Sequence, residues 1–446
     1  VAVLHSGLSR GERYDQWLRI RRGQVDVVIG ARSAVFAPVP RLGLLIVDEE
    51  HENTYKQEDV PPRYHAREVA VYRARQVGAL LILGSATPSV ESYSRALAGD
   101  YQLVQLPERI DRRPLPPVTV VDMRAELKAG NRSVFSRELT AAIASALARG
   151  EQVLLFLNRR GYATFVLCRA CGYVARCPAC DVTFTYHFKD DRLHCHYCNR
   201  TAAPPQQCPA CGSRYIRYFG TGTQRVEETA RRLFPQARVA RMDVDTTTEK
   251  GAHERLYRAY RAGRIDILIG TQMIAKGWDI PQVTLVGVVA ADTMLRLPDF
   301  RSAERTFQLL TQVAGRAGRG PRGGRVIIQT YDPEHYALQA AAAYDYAGFS
   351  ARELAERRAL GYPPFGRLIR LLLTGTDEEA VARAAGELDN ILRGELARYG
   401  VDARILGPAP APLARLRNRF RWQLVLQSRP ESSVTGPLYG IIQEAL

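Results

Sequence analysis

All eight cysteines of the 446-residue chain lie between positions 168 and 211, in four C-x-x-C pairs: Cys168/Cys171, Cys177/Cys180, Cys195/Cys198 and Cys208/Cys211. Structural disulfides belong to oxidising compartments, and no basic n-region with an apolar h-region marks this chain for export. A redox C-x-x-C occurs singly rather than four times in one short stretch. Two thiolates two residues apart on a tight knuckle form one edge of a tetrahedral site. Four pairs therefore supply two complete four-thiolate shells, and two Zn2+ ions are expected. Adjacent pairs can share a metal, or the inner pairs can nest within the outer ones. A hairpin through Phe184–Phe188 would return Cys195/Cys198 to Cys177/Cys180. That favours Cys177, Cys180, Cys195 and Cys198 on one ion and Cys168, Cys171, Cys208 and Cys211 on the other, with sequential pairing still open. His194 and His196 flank a knuckle and are read as packing residues.

Around this segment, apolar strand-like runs recur: Val25–Gly30, Leu42–Val47, Leu80–Gly84, Gln152–Leu157, Ile265–Gly270, Val283–Val289 and Arg325–Gln329. Helix-period stretches such as Ala66–Val77, Glu138–Ala148 and Val226–Phe234 lie between them. Alternation of this kind predicts an α/β chain with doubly wound parallel sheets. The Pro-rich stretch 107–117 reads as a linker, and from about Tyr344 short strands around an Ala/Glu/Arg helix predict a small α+β domain. No apolar run approaches the roughly 20 residues of a membrane-spanning helix. The net charge of +16 and pI near 9.7 point to a polyanionic partner, most often nucleic acid. The sequence opens on Val1 inside an apolar run, so it is expected to continue upstream.

Chemistry-bearing residues stand at the ends of these strands. Asp48-Glu49-Glu50-His51 follows Leu42–Val47. A carboxylate at the carboxyl end of a parallel strand reaches a metal–phosphate complex, so Asp48 is placed to hold Mg2+ and Glu49 to orient water. Gly84-Ser85-Ala86-Thr87-Pro88 ends the next strand with hydroxyls suited to a relay with those acids. Gly270-Thr271 ends another, with Gly277 and Asp279 close behind. Gln312, Arg316 and Arg319 place two guanidinium forks three residues apart, a spacing that suits a γ-phosphate's developing charge.

Taken in order, DEEH, GSATP, GTQMIAKGWDIP and QVAGRAGR resemble motifs II, III, V and VI of the superfamily 2 helicases. The zinc insertion, DEEHENTYKQEDVPPRYHAREVAVYRA and DFRSAERTFQLLTQVAGRAGRG narrow the resemblance to the bacterial primosomal replication-restart helicases, the PriA family, over the whole chain. The resemblance implies two RecA-like lobes, the first incomplete. The implied layout is residues 1–106 for lobe 1, 107–117 for a linker, 118–166 and 214–343 for lobe 2, 167–213 for the double-zinc insertion and 344–446 for the C-terminal domain. It implies ATP with Mg2+ at Asp48, Glu49, Glu50 and His51, with Gly270, Thr271, Gly277 and Asp279, and with Gln312, Arg316 and Arg319, the arginines as fingers. It implies a cytoplasmic, nucleoid-associated 3′→5′ helicase that recognises stalled forks, unwinds the lagging-strand arm and starts primosome assembly. Forked and single-stranded DNA would meet Arg32 and the aromatic-rich loop with Tyr55, Lys56 and Tyr64. The acidic tail of single-strand-binding protein would meet Arg419 and Gln423, and helicase-loading proteins complete the partners. No G-x-x-x-x-G-K-[ST] occurs in the 446 residues. That phosphate loop is expected upstream of Val1, beside an amino-terminal DNA-binding domain, and these residues alone are expected to be inactive. The alternatives are a non-hydrolysing fork-binding scaffold and a zinc-ribbon RNA-dependent ATPase.

Overall fold

The computed structural model describes residues 1–446 apart from 59, 109–113, 158–164, 180–181, 188–189, 220–221, 244–250, 272–273, 275–279, 319, 321, 430–439 and 443–446. Its contacts divide into two units, Val1–Leu103 and Val104–Leu446.

The first unit is built from two parallel strand pairs and their covering helices. Ala2–Leu4 pairs with Val28–Gly30, and Leu44–Asp48 pairs with Leu80–Gly84. The helix Arg10–Arg21 starts where Ser9 and Glu12 form a reciprocal capping box, which satisfies donors that the first turn leaves open. Ala66–Val77 ends on Gly78 in the left-handed conformation, the usual way to close a last turn. Ala2, Ile20, Val25 and Ala37 form a small core. Leu44, Ile46, Leu80 and Ile82 share one pleat face of the second pair and are exposed.

The second unit holds a six-stranded, wholly parallel sheet. Its order is Val239–Met242, Ile267–Gly270, Gln152–Phe156, Val283–Val288, Arg325–Thr330 and Val118–Asp122. The four central strands match predicted runs to within two residues. They read as unbroken apolar stretches because helices cover both faces of a parallel sheet. Val118–Asp122 and Val239–Met242 went unread because they are short edge strands with polar neighbours. The core packs Leu139 and Ile143 of the helix Arg137–Ala148 on Val153, Leu155, Ile267 and Leu285.

The carboxyl-terminal part is an antiparallel sheet, ordered Arg367–Gly375, Arg419–Ser428, Ala403–Leu416, under the helix Glu378–Arg398. Ala403–Leu416 was not anticipated, because Pro408, Pro410 and Pro412 argue against a strand. It is tolerated because this strand lies on the sheet edge, with register shifts against its one neighbour. No described helix is long and apolar enough to cross a membrane.

Candidate functional site

The cysteine module is closed at its base by Phe165–Cys168 pairing antiparallel with Ile216–Phe219. Three of its knuckles repeat one backbone turn. The first cysteine's carbonyl accepts from the residue four positions on: Gly172 N to Cys168 O at 2.8 Å, Asn199 N to Cys195 O at 2.9 Å and Gly212 N to Cys208 O at 2.8 Å. Those three residues have φ of 81°, 61° and 69°. Only Gly, and to a lesser degree Asn, enters that region cheaply. A Gly or Asn four positions after a cysteine is thus a knuckle signal legible in the sequence beside the C-x-x-C spacing.

The sulfurs of Cys168, Cys171, Cys208 and Cys211 all lie within 4.8 Å of one another. Cys168 and Cys211 are 3.7 Å apart, and Cys171 and Cys208 are 3.6 Å apart. Cys177, Cys195 and Cys198 form the second group, with Cys177 and Cys198 at 3.6 Å; Cys180 lies outside the described residues. This is the nested grouping. Zn–S bonds of about 2.3 Å give tetrahedral S···S edges of about 3.8 Å, so the thiols fit zinc. Burial pushes the Cys171 thiol up to about 12 and that of Cys168 upward. The backbone N–H of Ser213 instead lowers that of Cys211, and a cation in their midst would favour the thiolate form of all four.

The module is sealed into its surroundings on two sides. On one, Arg169 Nε donates to Tyr331 Oη at 2.8 Å, and a Cβ on Gly172 would stand 2.4 Å from the Tyr331 carbonyl. On the other, Cys168, Cys177, Cys195 and Cys208 share an apolar cluster with Leu406 and Val425 of the carboxyl-terminal sheet. His196 Nδ1 lies 2.8 Å from the Pro410 carbonyl, and Gln423 Nε2 donates to the His196 carbonyl at 3.0 Å. Gln423, expected at a peptide-binding surface, is therefore buried and committed to the knuckle. Tyr197 is buried in the same cluster and Tyr173 packs on it. Burial depresses His196 to about 4, so this imidazole is neutral. Arg419 is exposed, and its guanidinium lies along the sheet edge, donating to Thr374 O at 2.9 Å.

In the first unit the acidic motif divides by environment. Asp48 ends its strand exposed to solvent, and Glu49 follows at φ 48°, a conformation that a non-glycine residue adopts at a cost. Glu50 is only 2% exposed. Its carboxylate accepts from Ser89 N at 2.6 Å, Arg67 Nη1 at 2.8 Å and the hydroxyls of Ser89 and Ser92 at 3.0 Å. Grouped by sequence with the catalytic acids, Glu50 instead binds the acidic motif to the Ser-Ala-Thr-Pro-Ser turn. His51 does the same through Nδ1, 2.6 Å from Ser85 Oγ, and lies 3.5 Å from Glu49 Oε2.

The aromatic-rich loop forms a small hairpin, Lys56–Gln57 against Tyr64–His65. Tyr55 Oη donates to the Asp48 carbonyl at 2.7 Å, and burial beside Asp48 raises its hydroxyl pKa. Arg32 holds the loop from below, donating to Thr54 O at 3.0 Å, Lys56 O at 2.9 Å and Gln57 Oε1 at 3.0 Å. It also lies over the Tyr64 ring, which packs edge-on to Phe36. Lys56 is exposed.

In the second unit, Thr271 is buried directly after the strand Ile267–Gly270; a Cβ on Gly270 would stand 2.7 Å from Ile274. Gly277 and Asp279 lie outside the described residues. Gln312 is half-buried on the helix Ser302–Ala314, and Arg316 sits in the turn after it; Arg319 lies outside the described residues. Sequence reasoning missed the anchor of that helix. Arg357 is buried and donates to Glu304 Oε2 at 2.7 Å and Glu353 Oε1 at 2.8 Å, over the Phe300 ring.

Three family descriptions match this architecture. Residues 177–202 match the PriA DNA helicase Cys-rich region domain, 213–321 the helicase conserved C-terminal domain and 358–443 the primosomal protein N C-terminal domain. The replication restart protein PriA of Bacillus subtilis is 54% identical over 443 residues, covering 99% of this chain and 54% of that protein. That of Synechocystis is 51% identical, with 99% and 54% covered, and that of Treponema pallidum 44% identical, with 96% and 64% covered. The chain thus spans between about half and two-thirds of the length of these relatives. With the Cys-rich, helicase C-terminal and carboxyl-terminal domains all present in one sequence, the chain belongs to the PriA family.

Proposed function

We propose that these residues are the motor and zinc-bearing part of an ATP-driven 3′→5′ DNA helicase of replication restart. It would act on stalled forks of nucleoid DNA in the cytoplasm, unwind the lagging-strand arm and start primosome assembly. The observation that carries the reading is the division of labour in the acidic motif. Glu50 and His51 fix the motif to its neighbour, leaving Asp48 and Glu49 at the strand end. Asp48 is the proposed Mg2+ ligand and Glu49 the proposed water-orienting base. Glu50 is a positioning residue. Gly270, Thr271, Gly277, Asp279, Gln312, Arg316 and Arg319 are proposed to serve the nucleotide, the arginines by stabilising developing charge. The Tyr55–Asp48 hydrogen bond gives the aromatic-rich loop a direct handle on the acidic strand, which suits coupling of DNA contact to turnover. Arg32 supports that loop, and Tyr55, Lys56 and Tyr64 are the proposed DNA-facing residues.

The test is made in the full-length protein. Glu49→Gln is expected to lower DNA-stimulated ATP turnover and fork unwinding by roughly 10²- to 10⁴-fold, the range for losing a positioned base. Nucleotide binding should be retained. Turnover near wild type would remove Glu49 from the chemistry. The 446-residue polypeptide alone, without a G-x-x-x-x-G-K-[ST] loop, is expected to show no stimulated turnover.

Binding to forked DNA is expected to weaken steeply with salt, because each neutralised phosphate contributes about −0.9 to the slope of log K against log salt. Stacking on tyrosines adds little sequence preference. Fluorescence anisotropy with a flat salt dependence would contradict an electrostatic interface. For the acidic tail of single-strand-binding protein, Arg419 is the proposed anchor and Gln423 is set aside. Arg419→Ala is expected to weaken tail-peptide binding about tenfold or more, the scale of one charge-assisted hydrogen bond. Unchanged affinity by calorimetry would assign this edge to DNA.

A further inference from the structure

Beside the cysteine groups, three histidines crowd together on the hairpin of the zinc module. The ring of His187 lies 4.4 Å from that of His194 and 5.2 Å from that of His196, centroid to centroid. Hydrogen bonds fix which nitrogens carry protons. His196 Nδ1 faces the Pro410 carbonyl at 2.8 Å, and a carbonyl only accepts, so Nδ1 holds the proton and Nε2 is bare. His194 Nε2 donates to the Asp190 carboxylate at 2.6 Å, which leaves Nδ1 as the nitrogen available to a metal. That Nδ1 is buried with no partner among the described residues, an arrangement that costs free energy unless something binds there.

The bare Nε2 of His196 faces His187 Nε2 at 3.4 Å. As a hydrogen bond from His187 Nε2 it is a long one, since even N–H···O bonds span about 2.7–3.2 Å. It matches the edge of about 3.3 Å that two imidazoles span on a tetrahedral ion with metal–nitrogen bonds of about 2.0–2.1 Å. The far nitrogens of His196 and His194 are held by a backbone carbonyl and a carboxylate, the partners that commonly orient metal-binding histidines. From this geometry we propose that His187, His194 and His196 form a third metal site, taking a divalent transition-metal ion of imidazole preference such as Zn2+ or Co2+. The three nitrogens do not yet all lie within 4.8 Å of one another, so closure takes a shift of the His194 ring. His187 and His194 are only part-buried, which leaves an open position for water. Through the His196–Pro410 hydrogen bond, the ion would brace the zinc hairpin against the carboxyl-terminal sheet.

The experiment starts from the chain carrying its cysteine-bound zinc, with zinc retention checked by elemental analysis, and titrates Co2+. A further equivalent is expected, with ligand-field bands of a nitrogen- and oxygen-ligated ion and no thiolate-to-metal charge transfer. His187→Ala and His196→Gln should each keep the cysteine-bound zinc and weaken the added ion at least about 100-fold, since even loss of an orienting partner costs about 10- to 100-fold. The proposal is overturned if the zinc-loaded chain takes up no further ion. It is equally overturned if either zinc-retaining variant binds that ion with unchanged affinity.

Discussion

Cys168→Ser is expected to remove one metal ion per chain and unfold the base of the zinc module. Cys168 is fully buried, and its strand is the one that pairs with Ile216–Phe219. Structural zinc supplies on the order of 10–16 kcal/mol in small zinc-folded peptides near neutral pH, whereas whole domains are stable by about 5–15 kcal/mol. No rearrangement of a cluster this small offsets such a loss. Because Leu406 and Val425 share that cluster, the damage should reach the carboxyl-terminal sheet. Hydrogen exchange should show the amides of Arg419–Ser428 losing protection along with those of the knuckles. Cysteine-bound zinc should fall from two ions to one by elemental analysis. A variant that keeps both ions, or loses one with exchange unchanged in that strand, would refute the structural role assigned here.

Arg357→Ala is the second large effect. The substitution removes the guanidinium that the buried carboxylates Glu304 and Glu353 share. Burial already raises the Glu353 pKa against the pull of Arg357. Breaking a buried pair from one side typically costs about 3–5 kcal/mol, or roughly 6–20 °C in melting temperature for a domain of about 150–250 residues. The sign of the cause can be checked. If uncompensated charge is responsible, Glu304→Gln in the Arg357→Ala background should recover part of the loss, although the same change should destabilise the wild type. A double variant no better than the single one would assign the cost to lost packing on Phe300.

What the sequence disclosed and withheld follows from the range of the interactions. C-x-x-C knuckles, central parallel strands and the Asp48–His51 run are local, so spacing and apolar runs reveal them. Partners distant in sequence were not legible. Arg32 reads as a DNA contact until the loop 22 to 25 positions away folds onto it. Glu50 reads like its neighbours until Ser89 and Arg67 surround it. Gln423 is the clearest case. A polar residue in a strand ordinarily marks the solvent face, but this strand is covered on both: Val425 packs towards the cysteines, and Leu424 and Leu426 pack towards the helix. Alternation vanishes, and only the carbonyl of His196 explains the amide.

The seam between the knuckles and their surroundings bears on chimeras. Zinc ribbons are often treated as cassettes, to be cut out at the flanking strands and grafted between relatives. Here the missing side chain of Gly172 is matched to the Tyr331 backbone, and Gln423 is matched to that of His196. A graft of residues 167–213 would import one half of each match and inherit a foreign other half. Tyr331, Pro410 and Gln423 have to travel with the cysteines, so the smallest exchangeable piece of this protein is discontinuous in sequence.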